Sequence, residues 1–253
     1  MCIVFAAYSS HPNYRLIIAA NRDEFYGRPT EQAHFWQDEP NVLAGRDLQQ
    51  MGTWMGITTY GRFAALTNFR DPTEEIGLKQ SRGHIVQNFL TGNEKPIEFL
   101  QKLQHDRMNY RGFNILLSDY DSFFYYSNVE NKITQLKPGL YGLSNHLLNT
   151  PWPKVEKGKK FIEEVISKDE TINEEELFRL LNDHEHAPIE ALPTTGVSLD
   201  WEKKLSSIFI NTPNYGTRCS TVLTVNSEGF VRFTERTFPI SRKQQRHFQF
   251  KIK

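Results

Sequence analysis

Cys2-Ile3-Val4-Phe5-Ala6-Ala7-Tyr8 and Leu16-Ile17-Ile18-Ala19-Ala20, with the turn-forming His11-Pro12-Asn13 between them, are the stretches whose reading decides the fold. Both have strand length, and both are apolar at odd and even positions alike. A strand with one face in water alternates apolar and polar residues, whereas a strand apolar throughout is covered on both faces. Two such strands joined by a short turn predict a central antiparallel hairpin held between layers.

Working outward, further strands are expected over residues 54–59, 63–67, 114–118, 122–127, 132–136, 140–143, 208–210, 221–225 and 231–236. Helices are expected over 81–90, with Ile85, Val86 and Phe89 on one side, and over 96–107, with Pro96 in the first turn and Ile97, Leu100 and Leu103 at helical spacing. A second pair is expected over 152–167 and 173–182, the latter with Asn173 as cap and acidic residues in its first turn. Short turns between neighbouring strands favour antiparallel pairing. Helices that come in pairs suit a helical layer on each outer face of stacked sheets, an α+β arrangement. No repeat, low-complexity run or linker interrupts the chain, so residues 1–253 read as one domain. The least regular stretches are 38–50 and 184–200, and the second has the character of a lid.

With 253 residues, 18 Phe and 10 Tyr, the chain can build a core without metal or disulfide staples. Thirty basic and thirty acidic residues balance to zero net charge, which argues against nucleic acid as a partner. Arg242-Lys243-Gln244-Gln245-Arg246 is locally basic and reads as a solvated tail. Two cysteines make no disulfide framework and fit a reducing compartment. No run approaches the ~20 apolar residues of a membrane helix, and no basic leader precedes the first strand. A cytoplasmic protein without a transmembrane segment is expected. Phosphate loops, Gly-x-Gly-x-x-Gly, nucleophile elbows and Cys-x-x-Cys are absent. His184-Glu185-His186 offers one histidine pair and no third ligand, so a surface loop is expected there rather than a metal site.

Taken alone, Cys2 reads as a small core cysteine at a strand start. If Met1 is trimmed, however, one residue carries both a thiol near ~8.5 and an α-amine near ~7.7–8.0. An amine that activates its own side chain is a route to covalent catalysis. Polar clusters at strand ends supply partners. Asn21-Arg22-Asp23-Glu24 follows the second apolar run, and if extended it sends Asn21 and Asp23 to one side and Arg22 and Glu24 to the other. Thr67-Asn68-Phe69-Arg70-Asp71, Ser144-Asn145-His146 and Tyr215-Gly216-Thr217-Arg218-Cys219-Ser220 are placed similarly. Asn amides can stabilise an oxyanion, although Asn is also a common turn residue. Alternation places Cys219 opposite Arg218, as a packed core thiol.

Together these residues resemble the NRDE family, whose eukaryotic members are the transport and Golgi organisation protein 2 homologues. The likeness rests on Met1-Cys2-Ile3-Val4-Phe5, on Asn21-Arg22-Asp23-Glu24 with Phe25-Tyr26-Gly27-Arg28-Pro29, and on Gly45-Arg46-Asp47 with Gly52-Thr53-Trp54-Met55-Gly56. Leu66-Thr67-Asn68-Phe69-Arg70, Ser81-Arg82-Gly83, Leu143-Ser144-Asn145, Tyr215-Gly216-Thr217-Arg218 and Phe233-Thr234-Glu235-Arg236 extend it over nearly the whole chain. The resemblance implies a four-layer αββα sandwich of the N-terminal-nucleophile (Ntn) hydrolase type, similar to cysteine acylases of penicillin V and conjugated bile acids. It implies Cys2 as nucleophile, Asn145 as oxyanion donor and Arg218 as the active-site arginine; the strand-end clusters add Asn68 as a second oxyanion donor, Asp23 or Arg22 holding the amine, and Asn21 beside them. Glu24, Arg28, Arg70 and Asp71 are expected to support these residues. The acylases carry Arg-x-x-Asp after the second strand; here Asn21-Arg22-Asp23-Glu24 moves the basic residue. The resemblance implies a small acylated molecule as substrate and no cofactor for hydrolysis. It also implies a second role, carriage of haem or an acyl-CoA without catalysis.

Overall fold

The structure, a computed structural model, describes residues 2–74, 77, 79–168, 170–238 and 244–253. Strands β1 (Cys2–Tyr8) and β2 (Tyr14–Phe25) form the expected hairpin. Strands β3 (Thr30–Phe35), β4 (Val42–Asp47), β5 (Met55–Thr58) and β6 (Phe63–Asn68) lead to helices α1 (Gly83–Thr91) and α2 (Pro96–His105). Strands β7 (Phe113–Ser118), β8 (Phe123–Ser127), β9 (Lys132–Gln135) and β10 (Gly139–Leu143) precede helices α3 (Pro153–Lys168), α4 (Glu174–Leu181) and the short α5 (Leu199–Lys204). Strands β11 (Tyr215–Asn226), β12 (Phe230–Thr237) and β13 (Gln244–Lys251) complete the order.

These strands make two antiparallel sheets, one ordered β10-β1-β2-β11-β12-β13 and the other β3-β4-β5-β6-β7-β8-β9. The alternation of side chains along β1 and β2 builds two cores, and the second sheet builds a third on its far face. Val4, Ala6, Tyr8, Leu16, Ile18 and Ala20 point between the sheets, against Met55, Phe63 and Phe123. Ile3, Phe5, Ala7, Ile17 and Ala19 point outward beneath α3 and α4, against Val155, Ile162 and Leu177. The far face of the second sheet is covered by α1 and α2 through Ile85, Phe89 and Leu100. The four layers α, β, β, α therefore follow from strands that are apolar on both faces. Each fully buried Ile or Phe contributes roughly 1.5–3 kcal/mol. Gly158 lets α3 approach β1, because a Cβ there would run into the Phe5 ring. Asn173 caps α4 as expected, its Oδ1 accepting from the Glu175 N–H at 3.0 Å.

Several expectations need correction. The stretch 38–50 contains β4, buried at all six positions and paired with both β3 and β5. Its polar residues are neutralised by partners elsewhere: Arg46 makes a two-pronged bond to Asp38, at 2.6 and 2.7 Å, and lies over Trp36. Residues 208–210 are not a strand. They form a buried bend, in which the Phe209 N–H donates to the Asp183 carbonyl and the Ile210 N–H to Thr217 Oγ1. Of the basic stretch, Arg242 and Lys243 lie outside the described residues, while Gln244, Gln245 and Arg246 are the start of edge strand β13 rather than a free tail. The stretch 184–200 is pinned down, with the Ala187 N–H on Ser206 and the Thr195 N–H on Glu202.

Candidate functional site

Strand β2 does not stop at Ala20 but runs through Asn21, Arg22, Asp23 and Glu24 to Phe25. The polar tetrapeptide is therefore fixed inside the sheet, between β1 and β11, with Arg22 opposite Cys2 on one side and Cys219 on the other. The predicted alternation holds. Asn21 faces the helices, donating to the carbonyls of Leu181 and Ile208 at 2.8 and 2.9 Å and accepting from Ser220 Oγ at 2.6 Å. It anchors β2 to α4 and stands behind the site. Asp23 is buried; its Oδ1 accepts from Thr217 Oγ1 at 2.7 Å and its carbonyl from the Tyr215 hydroxyl at 3.1 Å. Burial pushes the Asp23 carboxyl up to about 6, against the opposing pull of Lys154, Thr217 and Arg22. Lys154, itself buried in the first turn of α3, donates to the Leu205 carbonyl at 2.9 Å, and desolvation brings it down to about 8.

Arg22 turns the other way. Its guanidinium lies 4.2 Å from the centre of the Trp54 ring and 3.9 Å from Glu24. Cys2, half-buried at the start of β1, borders a cavity of about 330 Å³ shared with Arg22, Asp23, Trp54 and Asn68. Burial raises the thiol above its ordinary range; the Asp23 N–H and the Arg22 charge pull it back. Glu24 and Arg28 line the same cavity, with Arg28 held on Asp47 at 2.5 Å.

The remaining expected residues are placed elsewhere. Asn145 is fully buried behind Asn68: its Nδ2 donates to the Asn68 carbonyl at 3.0 Å, and it does not border the cavity. Arg70 is buried in an ion pair with Glu202 at 2.8 Å and lies over Trp152. Asp71 is exposed and closes the turn to Thr73. Arg218 occupies a bulge between Thr217 and Cys219, where its Nη1 donates to the carbonyls of Phe25 and Arg28. The bulge breaks the alternation, so Arg218 and Cys219 border one common cavity, of about 360 Å³, on the other side of Arg22 and Trp54. Cys219 is buried there, as expected. Desolvation and the neighbouring Glu235 carboxylate, to which it is hydrogen-bonded, hold its thiol well above the ordinary range.

Sequence reasoning passed over Trp54, Arg82, Arg111 and Lys79, all of which line the Cys2 cavity. Trp54 and Arg82 lie in quoted motifs, Gly52-Thr53-Trp54 and Ser81-Arg82-Gly83, whose close packing explains their pairing. A Cβ on Gly52 would come within 2.6 Å of the Gly83 backbone, and the Thr53 N–H donates to the Gly83 carbonyl. Among the described residues no cluster of His, Cys, Asp or Glu could hold a metal ion, and no helix is long and apolar enough to cross a membrane.

The family described as Transport and Golgi organisation 2 matches residues 1–239. The Mus musculus Transport and Golgi organization 2 homolog is 36% identical over 94% of this chain and 93% of its own length. The Homo sapiens protein of that name is 35% identical over 100% and 99%, and the Drosophila melanogaster protein 29% over 94% and 92%. Among solved structures, the conjugated bile acid hydrolase of Clostridium perfringens is similar, with TM-scores of 0.53 and 0.54 for two variants. Sequence identity is 9%, and the match covers 99% of this chain and 97% of the hydrolase. That likeness shows the fold, two large antiparallel sheets with helices of the Ntn-hydrolase type.

Proposed function

This chain belongs to the Transport and Golgi organisation 2 family, and on that premise we propose that it is an Ntn-type thiol hydrolase that cleaves a C–N bond in a small acylated molecule. The observation that carries the reading is the place of Cys2: first in β1, at the wall of a cavity, opposite Arg22 and beside the Asp23 N–H.

A thiol raised by burial is a poor nucleophile until a base takes its proton. The α-amine of Cys2 supplies that base once Met1, which lies outside the described residues, is removed. The thiol proton passes to the amine as sulfur bonds to the substrate carbonyl carbon. The Asp23 carboxylate stabilises the resulting ammonium. Asn68, which lines the same cavity, donates to the oxyanion in this reading, and Asn145 holds the Asn68 backbone through its carbonyl. Collapse breaks the C–N bond, the leaving amine takes the proton, and water then hydrolyses the thioester, returning the thiol. The test is turnover of N-acyl-4-nitroanilides of graded acyl length by protein whose N-terminus is Cys2. Nitroaniline release that disappears in Cys2→Ala supports the reading; release that persists in Cys2→Ala overturns it.

A second reading, a non-catalytic carrier of haem or an acyl-CoA in the same cleft, rests on the cavity lining, where Arg22, Lys79, Arg82 and Arg111 would meet an anionic cargo. An optical titration with haemin and calorimetry with palmitoyl-CoA test it. Saturable binding with no turnover supports this second reading, and absence of binding overturns it.

A further inference from the structure

We propose that the Cys2 cavity contains a built site for a multiply charged oxyanion, a phosphate or a cluster of carboxylates, at the N-terminus of α1 between Arg22, Arg82 and Arg111. The site stands whether or not Cys2 turns anything over, so it goes beyond the hydrolase reading.

Charge points to it first. Five cationic side chains line the cavity, Arg22, Arg28, Lys79, Arg82 and Arg111, against the carboxylates of Asp23, Glu24 and Asp47. Arg28 is spent on Asp47 at 2.5 Å. Arg82 makes no ion pair among the described residues; its Nη1 donates to the Gly112 carbonyl at 2.8 Å. It is set beside Arg111, and the repulsion adds to desolvation in lowering its pKa. Arg111 Nε forms a 3.5 Å ion pair with Glu74 that is not a hydrogen bond.

The independent observation is Arg22. It is 6% exposed, and its Nη1 is a buried donor with no hydrogen-bond partner. A buried donor left unmade costs about 1–3 kcal/mol, and more when charged. Arg22 lines the cavity, and a ligand acceptor that reaches its guanidinium removes that cost.

The start of α1 adds its dipole, although the His84 and Ile85 N–H groups already donate to the Ser81 and Arg82 carbonyls. The nine-residue helix opens at Gly83 on the cavity wall, with no side-chain cap and no acidic residue in its first turn. Its amide dipoles favour an anion there. The contact between Gly52 and Gly83 fixes this helix end against the segment that leads through Trp54 into β5. Among the lining side chains Trp54 and Leu66 are the large apolar ones and the rest are mostly charged or polar, so this part of the cavity suits the charged part of a ligand.

The test is calorimetry of the full chain with inorganic phosphate, pyrophosphate and citrate. Saturable binding at about millimolar concentration or below is expected, weakened about tenfold or more in Arg111→Gln and Arg82→Gln. Binding should be unchanged in Arg236→Gln, whose guanidinium pairs with Glu175 on another face, and retained in Cys2→Ala. Bound anion should also slow alkylation of Cys2. Because Arg82 also holds the Gly112 carbonyl, Lys79→Gln serves as a milder variant if Arg82→Gln does not fold; a several-fold loss is expected. Response to the phosphates alone or to citrate alone supports the site and assigns its source, and response to both supports a general oxyanion site. No binding by any of the three, or binding untouched by Arg111→Gln and Lys79→Gln, overturns it. Binding that survives in Cys2→Ala without turnover by the native chain overturns the hydrolase reading and leaves the anion site in place.

Discussion

Cys2 and Cys219 are two thiols on the same face of the same sheet, one on each side of Arg22. Both are pushed up by burial. They differ in their companions. Cys219 is closed in by β12 and hydrogen-bonded to the Glu235 carboxylate, whose charge works against a thiolate. Cys2 sits at a strand start, half-buried on a cationic cavity; the Asp23 charge also works against its thiolate, but the Asp23 backbone N–H and the Arg22 charge favour it. Register gives each thiol a nearby carboxylate that opposes its thiolate; exposure on a cationic cavity and a backbone N–H donor set Cys2 apart.

The largest effect that would break this contrast is on turnover. Cys2→Ala should lower it by on the order of 10³-fold or more, as loss of a nucleophile does. Cys219→Ala should leave it within about twofold, because Cys219 borders the other cavity. Steady-state kinetics of both variants, with melting curves, is the check; equal losses at equal stability would erase the distinction. Next comes reactivity. Timed iodoacetamide labelling read by peptide mass should modify Cys2 about 10²-fold faster than Cys219, whose buried thiol is held protonated beside Glu235.

A smaller effect sharpens the role of the two carboxylates. Asp23 has a folded-state pKa of about 6 against an ordinary 3.8, so the folded state holds its proton over a pH range where the unfolded chain has released it. Its contribution is full below the unfolded value and is lost as pH rises through about 6. Asp23→Asn should therefore flatten the fall in stability between about pH 4 and 6 and raise stability at neutral pH by up to about 3 kcal/mol, while impairing catalysis. Denaturant melts across that range measure it. The smallest effect is expected from Glu235→Gln, which keeps an acceptor for the Ala33 N–H. Removing the charge should speed Cys219 labelling a few-fold without bringing it near Cys2.

The sheets and helices were legible because Ile3 to Tyr8 and Leu16 to Ala20 carry apolar residues at both parities, and that pattern has one cheap solution. Strand β4 was not legible, because Gly45-Arg46-Asp47 reads as a loop until Asp38 and Arg28 neutralise its charges across the fold. Asn21 looked catalytic from its position in a polar tetrapeptide, yet alternation turned it towards α4. Arg218 was moved off the thiol by a bulge, which no periodicity announces. Arg82 and Arg111 reach the cavity from either end of the α1–α2 segment, a meeting set by topology that spacing along the chain does not express.

The central claim is that Cys2 becomes a reactive N-terminal thiol. Intact-mass analysis of the native protein after a short iodoacetamide pulse tests it most directly. The account predicts a chain that begins at Cys2 and carries one adduct, on that residue. A chain that keeps Met1 quantitatively, or labels Cys219 as fast as Cys2, would contradict it.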